Sequence, residues 1–590
     1  MLPDRPTIFP EPELPRGEEL LAEGRAMARD WAVGRSAFLD HHGVASEHDF
    51  KLRQMRAGGV MQHAQIGYRD PGKSCRAYAE IWETCQRHGV AVDRYGLCLD
   101  WSMAVPRSLR ASATRGTGMI LQETEDFVRL ANSAPVAPHF GDFVLGFPAA
   151  LENTKAALSA GSTAIGNLGQ YFTFRIPGHD DDVAATRETV RAIGLIAAQP
   201  VPVIIHSNID DGFAAQFTDL SSCLGIMLIE RDLIERLAGA PIGHCYGHHF
   251  SDPLARLAFQ TAMADAELAP GTVIYGNTTS YRRSPDGNLA SLSNYLLVDA
   301  LGQTFRPTGH AINAVPVTEN DRIPDINEVV QAQLLAGRLK EHAPEWRALI
   351  DGETVREMAG RILAGASAFH RAAIKGLADA GFDTDDLFEM LLALRRIGAR
   401  KLEAEFGAGD KNLLAMGGRT PIVAATIVSE IAETAEDAIS SMPDDMRERL
   451  AGTGLKLLVA AGDVHEHGKM VVDEVVRRLG LTALDGGVST DPSVLAKTAL
   501  RVRPDVIAIS TYNGVALTYY KELRRELLAG GLDIPVLIGG RLNQIPDGSN
   551  SSLPVDVSSE LREAGAILCP GAADLGPALE ALLPKERRIR

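Results

Sequence analysis

Between residues 48 and 345, short apolar runs alternate with stretches whose apolar positions recur every three or four residues. The runs at 90–92 with 97–99, 143–146, 162–165, 201–205, 225–229, 241–243 and 272–275 are expected to be strands. Helices are expected over 149–160, 181–198, 231–237 and 253–264. Repeated β-α units over so long a segment predict a (β/α)8 TIM barrel rather than an open sheet. Ahead of it, residues 1–47 read as an N-terminal arm, whose prolines at 3, 6, 10, 12 and 15 exclude regular structure until a helix at 18–31.

The pattern changes twice more. Over 346–450 the apolar spacing is helical throughout, with amphipathic helices expected at 355–363, 367–377, 384–397 and 422–439. This segment is a helical connector or cap. Residues 451–590 return to β-α alternation, with strands expected at 455–461, 482–488, 506–510, 534–538 and 566–568. Five such strands with intervening helices predict a doubly wound, flavodoxin-like (Rossmann-type) sheet.

Composition narrows the class without naming a function. The chain has 590 residues, 45% of them hydrophobic and 23% charged, as in a soluble multidomain protein. A net charge of −17 argues against a nucleic-acid partner. No apolar signal core or membrane-spanning run stands out, so a cytoplasmic protein with no membrane partner is expected. The six cysteines form no Cys-x-x-Cys pair and suggest neither a disulfide framework nor a thiolate zinc site.

One loop carries specific chemistry. Asp463-Val464-His465-Glu466-His467-Gly468 follows the run 455–461 and precedes Val471, Val472, Val475, Val476 and Leu479, which share one helical face. The loop therefore lies at the carboxyl edge of a strand, where open α/β sheets take ligands. His465 can offer an imidazole nitrogen to a metal, and Asp463 can hold the other ring N–H and fix the tautomer. Ser510 ends the next strand and Gly539-Gly540 the one after it.

The expected barrel ends are rich in polar residues. They carry Arg56 and His63 early, Asn167 and Tyr171 after 165, and His206 after 205. Later come His244, His248 and His249, then Asn277 and His310. Such a set suits hydrogen bonding to a polar small molecule. His244 and His248 also have the spacing of a helical zinc pair, though no carboxylate or thiolate partner stands beside them.

With Asp463-x-His465-x-x-Gly468, Ser510-x-Tyr512 and Gly539-Gly540 in register, the C-terminal segment resembles cobalamin-binding domains that take the cofactor base-off/His-on. The resemblance implies His465 as the lower cobalt ligand and Asp463 as its partner. It implies Ser510 against the displaced base, and Gly539 and Gly540 leaving room for the nucleotide. Gly468, Tyr512 and Gly571 complete the implied cofactor-binding set. Tyr512 departs from the family pattern, which prefers leucine there.

Joined to a barrel, such a domain is similar to the adenosylcobalamin-dependent mutases of the glutamate (methylaspartate) mutase type, here with both parts fused. That likeness implies an isomerase acting by radical rearrangement on a small polar, carboxylate-bearing substrate. Arg56 would hold the carboxylate, and His63, Asn167, Tyr171, His206, His244, Asn277 and His310 would fix substrate or adenosyl group. A homodimer or homo-oligomer is expected. The family's other substrate-gripping arginines have no match at Leu99-Asp100-Trp101-Ser102 or Gly146-Phe147-Pro148, and Gly166-Asn167 replaces its acidic residue. Two other readings stand beside this one. One is a corrinoid-dependent methyltransferase using methylcobalamin; the other is a non-catalytic cobalamin sensor. Pyridoxal phosphate on Lys155, Lys401 or Lys469 is a further option that no motif marks.

Overall fold

The computed structural model describes residues 2–113, 118–173, 176, 179, 181–209, 217–248, 252–276, 281, 284–319, 322–412, 415–463, 465–512, 514–544 and 554–583. The chain divides into two units, one drawn from residues up to 426 and one mainly from residue 427 onward.

The first unit contains β1 (Gln62–Ile66), β2 (Arg94–Leu97), β3 (Ala137–His139), β4 (Ala164–Ile165), β5 (Ile204–Ser207), β6 (Ile242–His244), β7 (Val273–Ile274) and β8 (Ala311–Asn313). Five form a parallel sheet in the order β3-β2-β1-β8-β7, and β4-β5-β6 form another. Single parallel bridges, Phe140 to Ile165 and Tyr246 to Ile274, join residues at the two seams. The protein is thus an α/β protein with parallel sheets.

Helices between the strands begin where the sequence supplies both a cap and a proline. Asp70-Pro71, Asp252-Pro253 and Ser284-Pro285 each put a side-chain acceptor at the N-cap and a fixed φ in the first turn. The long helix Gly352–Asp379 packs on Leu220–Arg231 and Pro253–Asp265. The sequence pattern suggests two helices there, but Gly365 and Ala366 are buried in an unbroken one. The N-terminal arm folds back on its own unit: Gly17 N–H donates to Asp386 at 2.8 Å, and Arg5 pairs with Glu389 at 2.7 Å.

Several expected strands are not strands. The run 143–146 is a turn in which Phe143 N–H donates to Gln170 and Gly146 N–H to Thr189, so side chains replace a strand ladder. The run 225–229 lies in the helix Leu220–Arg231, buried on nearly every side, which periodicity alone cannot tell from a buried strand. Conversely, β1, β3 and β8 carry Gln62, His63, Gln65, Pro138, His139 and Asn313, too polar to signal strand.

The helix Glu47–Arg56 covers the amino-terminal edge of the strands. Its Lys51 Nζ donates to the carbonyls of Thr272 and Gly309, just ahead of β7 and β8, at 3.0 and 2.8 Å. Burial pushes Lys51 down to about 8 despite Glu47, which also takes Arg94 Nε at 2.8 Å.

In the second unit, β9 (Lys456–Ala461), β10 (Thr482–Asp485), β11 (Val506–Thr511), β12 (Val536–Gly540), β13 (Asn543–Gln544), β14 (Val555–Asp556) and β15 (Ile567–Cys569) follow in chain order. The main sheet is parallel, in the order β10-β9-β11-β12-β15, a Rossmann-like arrangement. Its interior packs Leu458, Ile507, Ile509 and Ile538 against Leu495, Tyr520 and Leu523. Helices Thr426–Ser440 and Asp444–Ala451 come directly before β9, and Arg449 pairs with Glu580 of the last helix at 2.9 Å.

Candidate functional site

In the order β10-β9-β11-β12-β15 the strand order reverses between β9 and β11, and ligands of such sheets gather at the carboxyl ends on either side. Asp463 and His465 follow β9, and Ser510 with Tyr512 ends and follows β11. The Asp463 carboxylate is buried and accepts from His465 and Tyr512. Oδ1 takes His465 Nδ1 at 2.7 Å and His465 N–H at 2.9 Å, and Oδ2 takes Tyr512 N–H at 2.6 Å. Burial alone would raise this carboxyl; the His465 charge and these hydrogen bonds outweigh it and hold it below the usual range. With Nδ1 turned to Asp463, metal ligation by His465 falls to Nε2.

The surrounding backbone is shaped for close approach. A Cβ on Gly468 would stand 2.2 Å from Ser510 Oγ, so this turn of helix His467–Arg478 and the end of β11 pass within touching distance. A Cβ on Gly539 would stand 2.2 Å from the Cys569 carbonyl, and Gly540 has φ 83°. Gly571 N–H donates to Asp574 at 2.8 Å. The Tyr512 ring lies against the His465 imidazole, centroids 4.4 Å apart, and the Arg541 guanidinium lies over Tyr512 at 4.8 Å. Lys469 is engaged by Asp473 at 2.8 Å and Asp485 at 3.1 Å. Donor pair and glycine-lined edge together fit a bulky metal-centred cofactor.

The first unit gathers some of the expected residues and separates others. His63 of β1 and His206 of β5 are fully buried, and His206 packs edge-on against His139 of β3, ring centroids 4.3 Å apart. Burial pushes all three well below the ordinary histidine range, with the Arg94 charge adding to it. Asn167 Oδ1 accepts from Asn208 N–H at 2.7 Å. Several buried polar atoms here have no hydrogen-bond partner among the described residues, His206 Nε2 and Asn208 Oδ1 among them, while Asn167 reaches Asp142 and His139 the Ala164 carbonyl. Each calls for a water or ligand atom.

His244 belongs to a different network. Glu230, fully buried in helix Leu220–Arg231, accepts from Ser207 Oγ at 2.7 Å and lies 3.0 Å from His244 Nε2. Burial and the Glu230 charge together raise the Tyr171 hydroxyl. His310 is fixed by Thr308 at 2.8 Å and the His244 carbonyl at 3.0 Å, and burial lowers it to about 3. Arg56 is exposed in the last turn of the helix at the amino-terminal edge, away from the strand ends that carry His206 and Asn167. Arg56 is thus not brought together with them. Asn277 and His249 lie outside the described residues. His248 stacks on Tyr275 at 4.3 Å, and no group of three metal-ligating side chains occurs among the described residues.

Sequence reasoning missed His139, Asn208, Glu230 and Asp142. Asp142 is the most informative, since burial pushes its carboxyl up to about 6 while Asn167 pulls it down. Its signal was hidden because it follows a strand that contains proline.

Comparison with known proteins agrees with the second unit. The B12 binding domain family matches residues 455–551. An HTH-type transcriptional repressor, CarA of Myxococcus xanthus, is 27% identical over 118 residues, 20% of this chain and 38% of that protein. The chain therefore spans about two fifths of that relative. A novel cobalamin-binding protein from Desulfitobacterium hafniense DCB-2 aligns over 41% of this chain and 96% of that chain, at 19% identity and TM-score 0.20. Matched family, sheet order and the Asp463–His465 pair converge: residues 455–551 form a B12-binding domain.

Proposed function

We propose that the chain is a cobalamin-dependent isomerase whose first unit is a (β/α)8 barrel of TIM type. The two seam bridges support closure, since with them each of the eight strands has a parallel neighbour on both sides. The observation that carries the reading is the cluster of buried polar side chains His139, Asn167, His206 and Asn208, with His206 Nε2 and Asn208 Oδ1 left without a partner among the described residues, next to strand ends where barrel enzymes bind substrate. A sensor needs no such interior, which is why an enzyme is preferred.

His465, oriented by Asp463, would hold the cobalt of cobalamin, and Gly468, Ser510, Tyr512, Gly539, Gly540 and Gly571 would border the rest of it. Adenosylcobalamin, when bound, supplies an organic radical able to abstract hydrogen from an unactivated carbon. The chain's own contribution is to bind, orient and seal. His63, His139 and His206, held neutral by burial, offer hydrogen bonds without charge, and Asn167 and Asn208 add amide groups. The substrate is a small polar acid, and its carboxylate is met by groups other than Arg56.

The test is anaerobic electron paramagnetic resonance of protein with adenosylcobalamin and a panel of small carboxylic and amino acids. A paramagnetic signal that requires one of them supports the isomerase. Methyl transfer from methylcobalamin to an added thiol, with no such signal, would establish the methyltransferase reading instead. The two helices before β9 are the feature that reading would use.

A further inference from the structure

We infer that Arg541 is an anion subsite for the phosphodiester of cobalamin, reached through the contact series His465–Tyr512–Arg541. The inference rests on cobalamin binding by residues 455–551 and not on the isomerase reading.

Cobalamin is a large neutral-to-cationic corrin whose nucleotide tail carries one phosphodiester. A protein of net charge −17 repels that anion at long range unless a cation is placed locally. Near the metal ligand, such a cation is present. Arg541 directly follows Gly539-Gly540 at the carboxyl end of β12, and its backbone is tied to β11, with its N–H donating to the Thr511 carbonyl at 2.8 Å. Thr511 Oγ1 also donates to the Arg541 carbonyl at 3.2 Å. Strand pairing thus fixes the root of the side chain, and the Tyr512 ring supports its plane at 4.8 Å. Tyr512 also packs on His465, centroids 4.4 Å apart. One aromatic ring therefore touches both the metal ligand and a guanidinium.

Lys469 is buried and paired with Asp473 and Asp485. Arginine is also the better side chain for a phosphate, since its planar fork can keep an aromatic contact while donating from its edge. This gives position 512 a reason to depart from leucine: a tyrosine ring can carry the guanidinium, and a leucine cannot.

The experiment compares hydroxocobalamin with aquocobinamide, which has the corrin and cobalt but lacks the nucleotide tail. Dissociation constants of both are measured by visible titration for wild type, Arg541→Ala and Arg541→Lys, with circular dichroism to confirm folding. Loss of a charge-assisted contact is expected to weaken cobalamin by about tenfold or more in Arg541→Ala. Cobinamide affinity should stay within about twofold of wild type, and Arg541→Lys should recover part of the cobalamin loss. Equal weakening of both corrinoids would overturn the subsite, because Arg541 would then act only by packing Tyr512. Unchanged cobalamin affinity would overturn it as well. Wild-type protein that binds neither corrinoid would instead remove the cobalamin assignment beneath it, a failure visible before any variant is made.

Discussion

Asp463 Oδ1 lies 2.7 Å from His465 Nδ1, while its other oxygen holds the Tyr512 amide at 2.6 Å. One buried carboxylate therefore sets both the tautomer of the imidazole and the start of the loop that carries the ring packed on it. Asp463→Asn keeps the size and removes the charge. Cobalamin affinity is expected to fall between about tenfold and a hundredfold with the fold retained. A variant that binds as tightly as wild type would show that the carboxylate has no part in tuning His465.

Gly468 and Ser510 form a second pair whose geometry can be tested. A methyl at 468 would meet Ser510 Oγ at 2.2 Å, but a hydroxyl can rotate away. Gly468→Ala should therefore change unfolding free energy by less than about 1 kcal/mol, helped by alanine's helix preference, while weakening cobalamin binding. Adding Ser510→Ala removes the obstructing atom, so the double variant should not be additive. Gly539→Ala is different in kind, because the obstacle is the Cys569 backbone carbonyl, and it should cost about 1–3 kcal/mol of stability. Chemical denaturation of the three variants separates these cases.

Glu230 accepts from Ser207 and lies against His244 in a fully buried position. Removing it leaves two buried polar groups without their acceptor. Glu230→Ala should destabilise the first unit by roughly 3 kcal/mol, and Glu230→Gln by less. Denaturation followed by circular dichroism measures both. A loss of activity without loss of stability would instead place Glu230 among the groups that touch substrate.

Acid should act on the first unit before the usual carboxylate range is reached. His63, His139 and His206 are held below the ordinary histidine value of 6.5, and His310 is lowered to about 3, all by burial first. Above 6.5 the folded and unfolded forms are both neutral at these sites and no stability is lost. Below it the unfolded chain takes up protons that the folded one refuses, at about 1.4 kcal/mol per pH unit for each histidine. Asp463 runs on a lower window: its contribution is present above the unfolded carboxyl value near 3.8 and is lost as pH falls further. Melting temperatures should therefore drop steeply between pH 6.5 and 5. A flat profile there would mean that these histidines titrate normally.

The second unit was largely legible in the sequence because its strands are apolar and its motif is local. Leu457 to Ala461, Ile507 and Ile538 announce strands by composition, and Asp463, His465 and Gly468 lie within one loop and the first turn after it. The strand ends of the first unit were legible only in part. β1, β3 and β8 carry Gln62, His63, Pro138 and Asn313, so the strand signal vanishes where polar side chains are buried. His139 and Asp142 were lost with their strand. Arg56 is set apart for another reason: sequence order placed it near His63, but it precedes β1 and sits on the other edge of the sheet. The contact of Tyr512 with Arg541 joins residues on neighbouring strand ends, which no local pattern reports.

The most direct test of the account is the visible spectrum of the protein titrated with cobalamin in the dark, beside that of His465→Ala. The account predicts that wild type binds with a spectrum of cobalt held by imidazole in place of its own base. It predicts that the variant loses that spectrum and at least tenfold in affinity. Identical spectra and affinities for the two proteins would contradict it, because cobalamin would then be held without His465.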